Sequence, residues 1–102
     1  NGVTPRRWLH QSNPRLTGLL REAIGSEFIA DAEKLSDLAA MAGDAALGER
    51  VDEVKRANKV DLANHLRELT GLRLDPDALF DVQIKRIHEY KRQLLNLIET
   101  VA

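Results

Sequence analysis

A dense group of basic side chains lies near the carboxyl end of this chain. Five of them fall within eight residues and are opposed only by Glu89; this basic cluster consists of Lys85, Arg86, His88, Lys91 and Arg92. Side-chain cations and the free backbone N–H groups of a helix start can converge on one phosphate. The residues therefore favour a site for phosphate or another anion. The alternative is a solvated basic patch, because most runs of charge are solvent-exposed faces.

The pattern around the cluster predicts a strand that runs into a helix. Phe80, Val82 and Ile84 alternate with polar residues, which is typical of a strand from about position 79 to 87. Steps of three and four then predict a helix whose apolar face contains Tyr90, Leu94, Leu97, Ile98 and Val101. Cations in a first helical turn are disfavoured by about 0.3–1 kcal/mol each, because that end of the helix dipole is positive. Their presence there is a further argument for a bound anion.

Composition limits the class of protein. The 102 residues carry a formal net charge of −1, with 43% apolar and 30% charged residues, which is typical of one folded domain at most. This charge argues against general nucleic-acid binding, which needs a basic excess over a whole face. The absence of cysteine excludes disulfides and thiolate metal sites, and no apolar run approaches the roughly 20 residues of a membrane span. We expect a cytoplasmic protein without nucleic-acid or membrane partners.

Three helices are predicted upstream of the basic cluster, each with a clear start signal. They run from Asn13-Pro14 to Gly25, from Asp31 to Gly43 and from Asp44 to Gly71. The first has an apolar stripe at steps of three and four and is expected to serve as scaffold; the stripe consists of Leu16, Leu19, Leu20, Ala23 and Ile24. Asn58 falls in the apolar stripe of the third helix, where a structural hydrogen bond is the expected role. His65 lacks a second ligand at metal spacing, so we expect a surface histidine and no metal site.

The predicted fold of the chain is mainly α-helical with one β-strand, and this combination is incomplete. A single strand leaves its backbone N–H and C=O groups unpaired. A second copy of the chain, or missing parts of a longer polypeptide, could supply the partner strands. The start at Asn1 without methionine and the end within a helical pattern favour a longer polypeptide. For the isolated chain, we expect self-association through the strand.

Trp8 is the only tryptophan. It follows Thr4-Pro5, a pair that predicts a short helical turn. Three roles are open to it: a core anchor, an interface residue, or a wall against a planar ligand. Because large aromatic side chains mostly pack, we favour the first two roles.

Several motifs together resemble the glycogen phosphorylases, the family that includes α-glucan, starch and maltodextrin phosphorylases. The matching stretches are residues 1–9 (NGVTPRRWL), Asn13-Pro14, Lys55 to Lys59 and, above all, residues 80–96 (FDVQIKRIHEYKRQLLN). The resemblance covers the whole chain, in the family's own order and spacing.

This resemblance implies a fold and an activity for the parent protein. The parent fold would be α/β, with two Rossmann-like domains facing a catalytic cleft. Residues 1–9 would be the crossover segment into the C-terminal domain, and residues 10–102 the N-terminal part of that cofactor- and phosphate-binding domain, which is incomplete here. The parent would be a homodimeric glycosyltransferase of glycogen metabolism. It would use inorganic phosphate to release terminal α-1,4-linked glucose from a glucan as glucose 1-phosphate, with retention of configuration.

The resemblance also implies a cofactor, pyridoxal 5′-phosphate, which acts through its 5′-phosphate by exchanging a proton with the substrate phosphate. The lysine that binds the cofactor covalently lies outside this chain. By position, Lys85 matches a lysine near the cofactor phosphate. Trp8 matches a tryptophan beside the cofactor, and Arg7 has a supporting role in the same motif.

The remaining matched residues belong to the substrate site of the family. Arg86 and Lys91 match the catalytic pair that holds the substrate phosphate. Tyr90 matches a residue that contacts the glucosyl hydroxyls. His88 matches a histidine at the edge of the cleft that contacts a gating loop in some members.

The isolated 102-residue chain is expected to be inactive. It has no counterpart of the family's covalent lysine, glycine-rich phosphate loop, or catalytic histidine and glutamate contacts. Two other classes of function remain open on the residues alone. The chain could be a stand-alone helical domain that binds an anion through the basic cluster, or a protein-interaction module that ignores phosphate. The residues do not indicate which glucan is preferred or whether the parent is an allosteric enzyme.

Overall fold

Helices make up the regular structure of residues 4–82 and 92–102, the residues that the computed structural model describes. Three of them are α-helices: α1 (Pro14–Ile24), α2 (Ala45–Thr70) and α3 (Arg92–Val101). The others are a π-helical turn (Arg6–Gln11) and two 3-10 helices (Glu27–Ile29 and Ala32–Met41). The predicted helical content upstream of the basic cluster is therefore confirmed.

The predicted helix starts are confirmed by the side chains that cap them. A side-chain oxygen of Asn13, Asp31 and Asp44 accepts a hydrogen bond from a first-turn backbone N–H at 3.2, 3.1 and 3.0 Å respectively. Each such bond satisfies one of the donors that a helix start leaves unpaired. α1 and α2 are followed by Gly25 and Gly71, whose φ angles of 82° and 76° place both glycines in a region that L-residues avoid. The segment after Asp31 differs from the prediction only in being a 3-10 helix.

The core is small and is built around α1. Its buried apolar side chains are Leu19 and Leu20 of α1, Phe28 between the helices, and Ala63 of α2. Thr17 is buried as well, and its hydroxyl donates to the backbone oxygen of Asn13 at 3.0 Å. Among the described residues, the apolar stripe predicted for α1 therefore provides two of the four buried apolar side chains.

A polar network joins α1 to α2 beside this core. The Asn58 Nδ2 donates to the Asn13 Oδ1 at 3.0 Å, so one amide oxygen caps α1 and also accepts from α2. The Arg15 guanidinium donates to the Asn58 Oδ1 at 3.0 Å and to the Asp61 carboxylate at 2.5 Å. The structural role predicted for Asn58 is confirmed.

The predicted β-strand is wrong for the part of it that the structure describes. Residues 79–82 have no regular secondary structure, and no strand occurs in residues 4–82 or 92–102. The rest of the predicted strand, residues 83–87, lies outside the described residues. Alternating apolar and polar residues form a strand only where a neighbouring strand completes the hydrogen-bond ladder. The chain before position 81 is instead bonded to side chains of α2. The described part of this segment therefore gives no support to self-association through a strand.

The helix predicted after the basic cluster is confirmed from Arg92 to Val101, and Tyr90 lies outside the described residues. The apolar side chains of α3 remain exposed. The exposed fractions of Leu94, Leu97, Ile98 and Val101 are 47%, 60%, 55% and 79%. The α/β fold of a parent protein, and the division at residues 1–9 and 10–102, stay predictions.

No helix within the described ranges is both long enough and apolar enough to cross a membrane.

Candidate functional site

Most of the predicted site residues fall outside the described part of the chain. Lys85, Arg86, His88, Tyr90 and Lys91 all lie within residues 83–91. The structure instead describes the two flanks of this stretch. Residues 75–82, which we call the approach segment, precede it, and α3 begins immediately after it.

The approach segment begins with a turn that its own residues close. The Asp75 carboxylate accepts from the backbone N–H of Asp77 at 2.9 Å, and the Asp75 carbonyl accepts from the N–H of Ala78 at 3.1 Å. An Asx turn of this kind is what an aspartate before proline favours. The turn directs the chain back along α2.

An ion pair fastens this turn to α2. The Arg56 Nε donates to one oxygen of the Asp77 carboxylate at 2.8 Å, and its Nη2 donates to the other at 3.3 Å. The two bonds form the bidentate fork that arginine makes with carboxylates. The hydrogen bond and charge of Arg56 hold the pKa of Asp77 below its ordinary value, and Asp77 in turn raises the pKa of Arg56.

The lowered pKa of Asp77 predicts a dependence of stability on pH. A carboxylate whose pKa is lower in the folded state contributes stability that is present above its unfolded pKa and is lost as the pH falls through its folded pKa. We expect acidification below the usual aspartate range, about 3.9, to remove this contribution. The effect should be small, because both side chains are exposed.

Thermal denaturation of the full-length protein between neutral and acidic pH would measure this contribution. Asp77→Asn should denature at a lower temperature than the wild type at neutral pH, and the difference should disappear at acidic pH. Glu99→Gln on α3 is the matched control for a lost surface carboxylate. A difference for Asp77→Asn that stays constant over the whole range would contradict the prediction.

A second side chain of α2, Lys59, contacts the approach segment further along the chain. The Lys59 Nζ donates to the backbone oxygen of Ala78 at 2.8 Å and also lies 5.2 Å from the centroid of the Phe80 ring. Lys59 follows Asn58, so adjacent positions of α2 bond to α1 and to the approach segment. This one ammonium group therefore holds both the main chain and the last aromatic side chain before the basic cluster.

Trp8, like the supporting Arg7, belongs to the predicted site and lies in the part of the chain that the structure describes. It lies in the π-helical turn, where its backbone N–H donates to the Thr4 carbonyl at 2.9 Å, and its side chain is 60% exposed. Its indole N–H makes no hydrogen bond to any described residue. The interpretation of Trp8 as a core anchor of this chain is wrong, and its ring is left free to contact a ligand or another part of the protein.

The sequence did not indicate that Arg56 and Asp77 form an ion pair. Asp77 follows Asp75-Pro76, but surface charges are numerous and nothing in their spacing selects Arg56 as its partner. No group of histidine, aspartate and glutamate side chains that could hold a metal ion occurs within residues 4–82 and 92–102.

Comparison with known proteins gives the chain its family. Residues 1–102 match the carbohydrate phosphorylase family. Over 102 residues the chain is 50% identical to glycogen phosphorylase of Haemophilus influenzae, with 100% of this chain and 12% of that protein covered. The α-1,4 glucan phosphorylase L isozyme (chloroplastic/amyloplastic) of Vicia faba is 50% identical, with 99% of this chain and 10% of that protein covered. The muscle form of glycogen phosphorylase from Oryctolagus cuniculus is 46% identical, with 99% and 12% covered.

These relatives differ in source, yet each is aligned over nearly the whole chain. The chain spans only 10–12% of the length of these three proteins. A match of all 102 residues to the family, supported by identities of 46–50%, shows that the chain belongs to the carbohydrate phosphorylase family.

Proposed function

We propose that these residues form one wall of the active site of an α-glucan phosphorylase. The whole enzyme would cleave terminal α-1,4-linked glucose from a glucan with inorganic phosphate. The observation that supports this most strongly is family membership over the entire chain, basic cluster included. The names of the relatives supply the substrate class, glycogen or another α-1,4 glucan.

The reaction would break the bond between the anomeric carbon and the glycosidic oxygen and form a bond from that carbon to a phosphate oxygen. The departing oxygen takes a proton from the substrate phosphate, and the product is glucose 1-phosphate. In this proposal, Arg86 and Lys91 bind the substrate phosphate and stabilise its negative charge. Two cations can do so strongly, because charge-assisted hydrogen bonds gain strength where water is excluded.

The other residues would orient the sugar and form the edge of the cleft. Tyr90 would donate to or accept from the glucosyl hydroxyls, and His88 would lie at the edge of the cleft. The indole of Trp8 is exposed, so its planar apolar face is available for contact.

The chain carries both cations and an exposed aromatic ring, the side chains that a phosphorylated, planar cofactor needs. We infer that this cofactor is pyridoxal 5′-phosphate, whose 5′-phosphate, when bound, would exchange a proton with the substrate phosphate. Lys85 would balance the charge of the cofactor phosphate, and Trp8, supported by Arg7, would pack beside the cofactor. The lysine that binds it covalently would come from another part of the enzyme.

For assembly and location, we propose a homodimer in the cytoplasm, on the basis of the family resemblance. Sedimentation of the full-length protein would test the dimer. Immunolocalisation would separate a cytoplasmic enzyme from one in plastids, the location given in the name of the Vicia faba relative.

The proposed function predicts a difference between the full-length protein and the isolated chain. The full-length protein should release glucose 1-phosphate from maltodextrin and phosphate. Residues 1–102 alone should release none and should not retain pyridoxal phosphate, because about nine tenths of the length of the relatives is absent from them.

Enzyme-coupled detection of glucose 1-phosphate, with absorbance spectra for the cofactor, would measure both expectations. A full-length protein that binds phosphate but does not cleave glucan would support an anion-binding domain instead. Binding of a protein partner without any response to phosphate would support an interaction module.

A further inference from the structure

An apolar groove of about 580 Å³ lies beside the first turns of α2. It is formed by the π-helical turn, α1, the 3-10 helix Ala32–Met41 and α2. Its lining includes Leu16 of α1 and Val51 of α2, and both side chains are only half-buried. Apolar surface that stays in contact with water forgoes the free energy that its burial would provide. The groove is therefore a surface that another apolar group would complete.

The 3-10 helix gives the groove a straight apolar wall. Leu35, Leu38 and Met41 follow one another at steps of three, and a 3-10 helix has three residues per turn, so these side chains align in one row. The row depends on an unusually long element, since 3-10 helices of more than about four residues are uncommon and this one has ten. Leu47 and Val51, one turn apart on α2, also line the groove. Apolar side chains of another polypeptide segment pack into grooves of this kind.

Two carboxylates are the charged groups in the lining of the groove among the described residues. The Asp44 carboxylate already caps α2, because it accepts from the backbone N–H groups of Ala46 and Leu47 at 3.0 and 3.2 Å. Asp52, in contrast, forms no ion pair or hydrogen bond with any described residue. Covering an unpaired carboxylate with apolar groups is costly unless a cation accompanies them. An occupant of the groove must therefore be apolar and carry a positive charge near Asp52.

A segment of the same polypeptide fits this description better than a small ligand. The relatives extend far beyond the aligned residues, since the chain spans only 10–12% of their length. A small-molecule site usually holds its ligand with several converging polar groups, whereas Asp52 is the one lining carboxylate that no described residue already uses.

We propose that the groove is an internal docking surface. In the full-length protein it is covered by a segment from outside residues 1–102, which packs apolar side chains between the 3-10 helix and α2 and places a lysine or arginine beside Asp52. This inference does not depend on the proposed phosphorolysis, because it concerns the packing of the full-length protein and not its reaction.

Photo-cross-linking of the full-length protein would test the inference directly. Met41 is the only methionine of residues 1–102, and it lines the groove. Incorporation of photo-methionine, whose diazirine reacts with any neighbouring group on irradiation, places a probe there. We expect the peptide that contains Met41 to be joined to a peptide from outside residues 1–102, in material that runs at the mass of one subunit on a denaturing gel. Met41→Leu, which nearly conserves the volume, is the control and should lose this product.

Two results of this experiment would overturn the inference. Cross-links that stay within residues 1–102, or no cross-link from Met41, would show that no other segment covers the groove. A product at twice the subunit mass would show that a second copy of the protein covers it instead.

Filling the groove should displace the occupant. Gly48 lines the groove, and a Cβ atom built on it meets no other atom within 4 Å, so the start of a longer side chain has room there. Gly48→Leu also removes the cost of a glycine inside a helix. We expect it to abolish the Met41 cross-link to the outside segment. Gly18→Leu is the matched control, because Gly18 is a helical glycine with equal room that does not line this groove. An unchanged cross-link in Gly48→Leu would contradict the inference.

Asp52→Asn serves as the second variant if Gly48→Leu does not accumulate. It should speed hydrogen exchange of the cross-linked outside segment by about two- to fivefold, the effect of losing one partly exposed ion pair. High salt should remove this difference, because it screens the pair in the wild type. Glu49→Gln, on the same helix but outside the groove lining, should match the wild type. Wild-type exchange in Asp52→Asn would show that no cation of the occupant lies beside Asp52.

Discussion

Replacing Arg86 or Lys91 by alanine in the full-length protein should lower kcat for phosphorolysis by about 100- to 1,000-fold, the usual cost of removing one group that stabilises developing charge. The physical reason is that a phosphate dianion in a closed cleft has lost its water shell. Its charge must then be balanced by fixed cations, and either substitution removes one of them.

The losses in kcat from the two substitutions, expressed as free energies, should not be additive, because both cations are proposed to bind the same phosphate. In a double-mutant cycle, the loss in the double variant should be smaller than the sum of the two single losses, expressed as free energies. Initial rates at varied phosphate, with glucan saturating, would give the values. Arg67→Ala is the control, since it removes an exposed cation from α2. Wild-type phosphate dependence in either single variant would refute the assignment.

The parts of the fold that follow from short stretches of sequence were predictable. Asn13 and Asp44 are side-chain caps that act within their own first turns, and Gly71 ends α2 through its own φ angle. These signals need no distant partner, so the sequence alone is enough to read them.

The parts that depend on distant partners were not predictable. The alternation at Phe80 and Val82 indicated a strand, but a strand needs a neighbouring ladder, and the adjacent described chain instead contacts Lys59 of α2. Arg56 and Asp77 are 21 residues apart, and no spacing rule links such a pair. The roles of Arg86 and Lys91 come from family resemblance, because spacing alone left a solvated patch as an alternative.

The burial of Phe28 in the core was likewise not predictable from the sequence. Helical periodicity selected Leu19 and Leu20, yet the largest fully buried side chain among the described residues is Phe28, which lies in a 3-10 helix of three residues. An element this short has no periodic stripe to detect. Its burial is set by the packing of its neighbours, which only the folded chain reveals.

Truncation of Phe28 should therefore have the largest effect on the stability of this region. Phe28 is 1% exposed, and only three other apolar side chains are buried among the described residues. Phe28→Ala should cost about 3–5 kcal/mol, from lost burial and the cavity left behind. Phe28→Leu should cost much less, because it keeps most of the volume. Hydrogen exchange of the full-length protein, followed by mass spectrometry, would measure the difference locally.

Peptides that cover Pro14–Ile24 are the ones to follow, because α1 carries Leu19 and Leu20 and so provides half of the apolar core. A loss of about 3 kcal/mol would speed exchange through local opening by about 100-fold, since each 1.4 kcal/mol is about a factor of ten. Peptides that cover α3 should exchange as in the wild type, since none of the buried core side chains of the described residues comes from that helix. Equal exchange of α1 in Phe28→Ala and Phe28→Leu would show that the core of this region is held from outside these residues. Faster exchange in the alanine variant alone would show that Phe28 itself holds α1 in place.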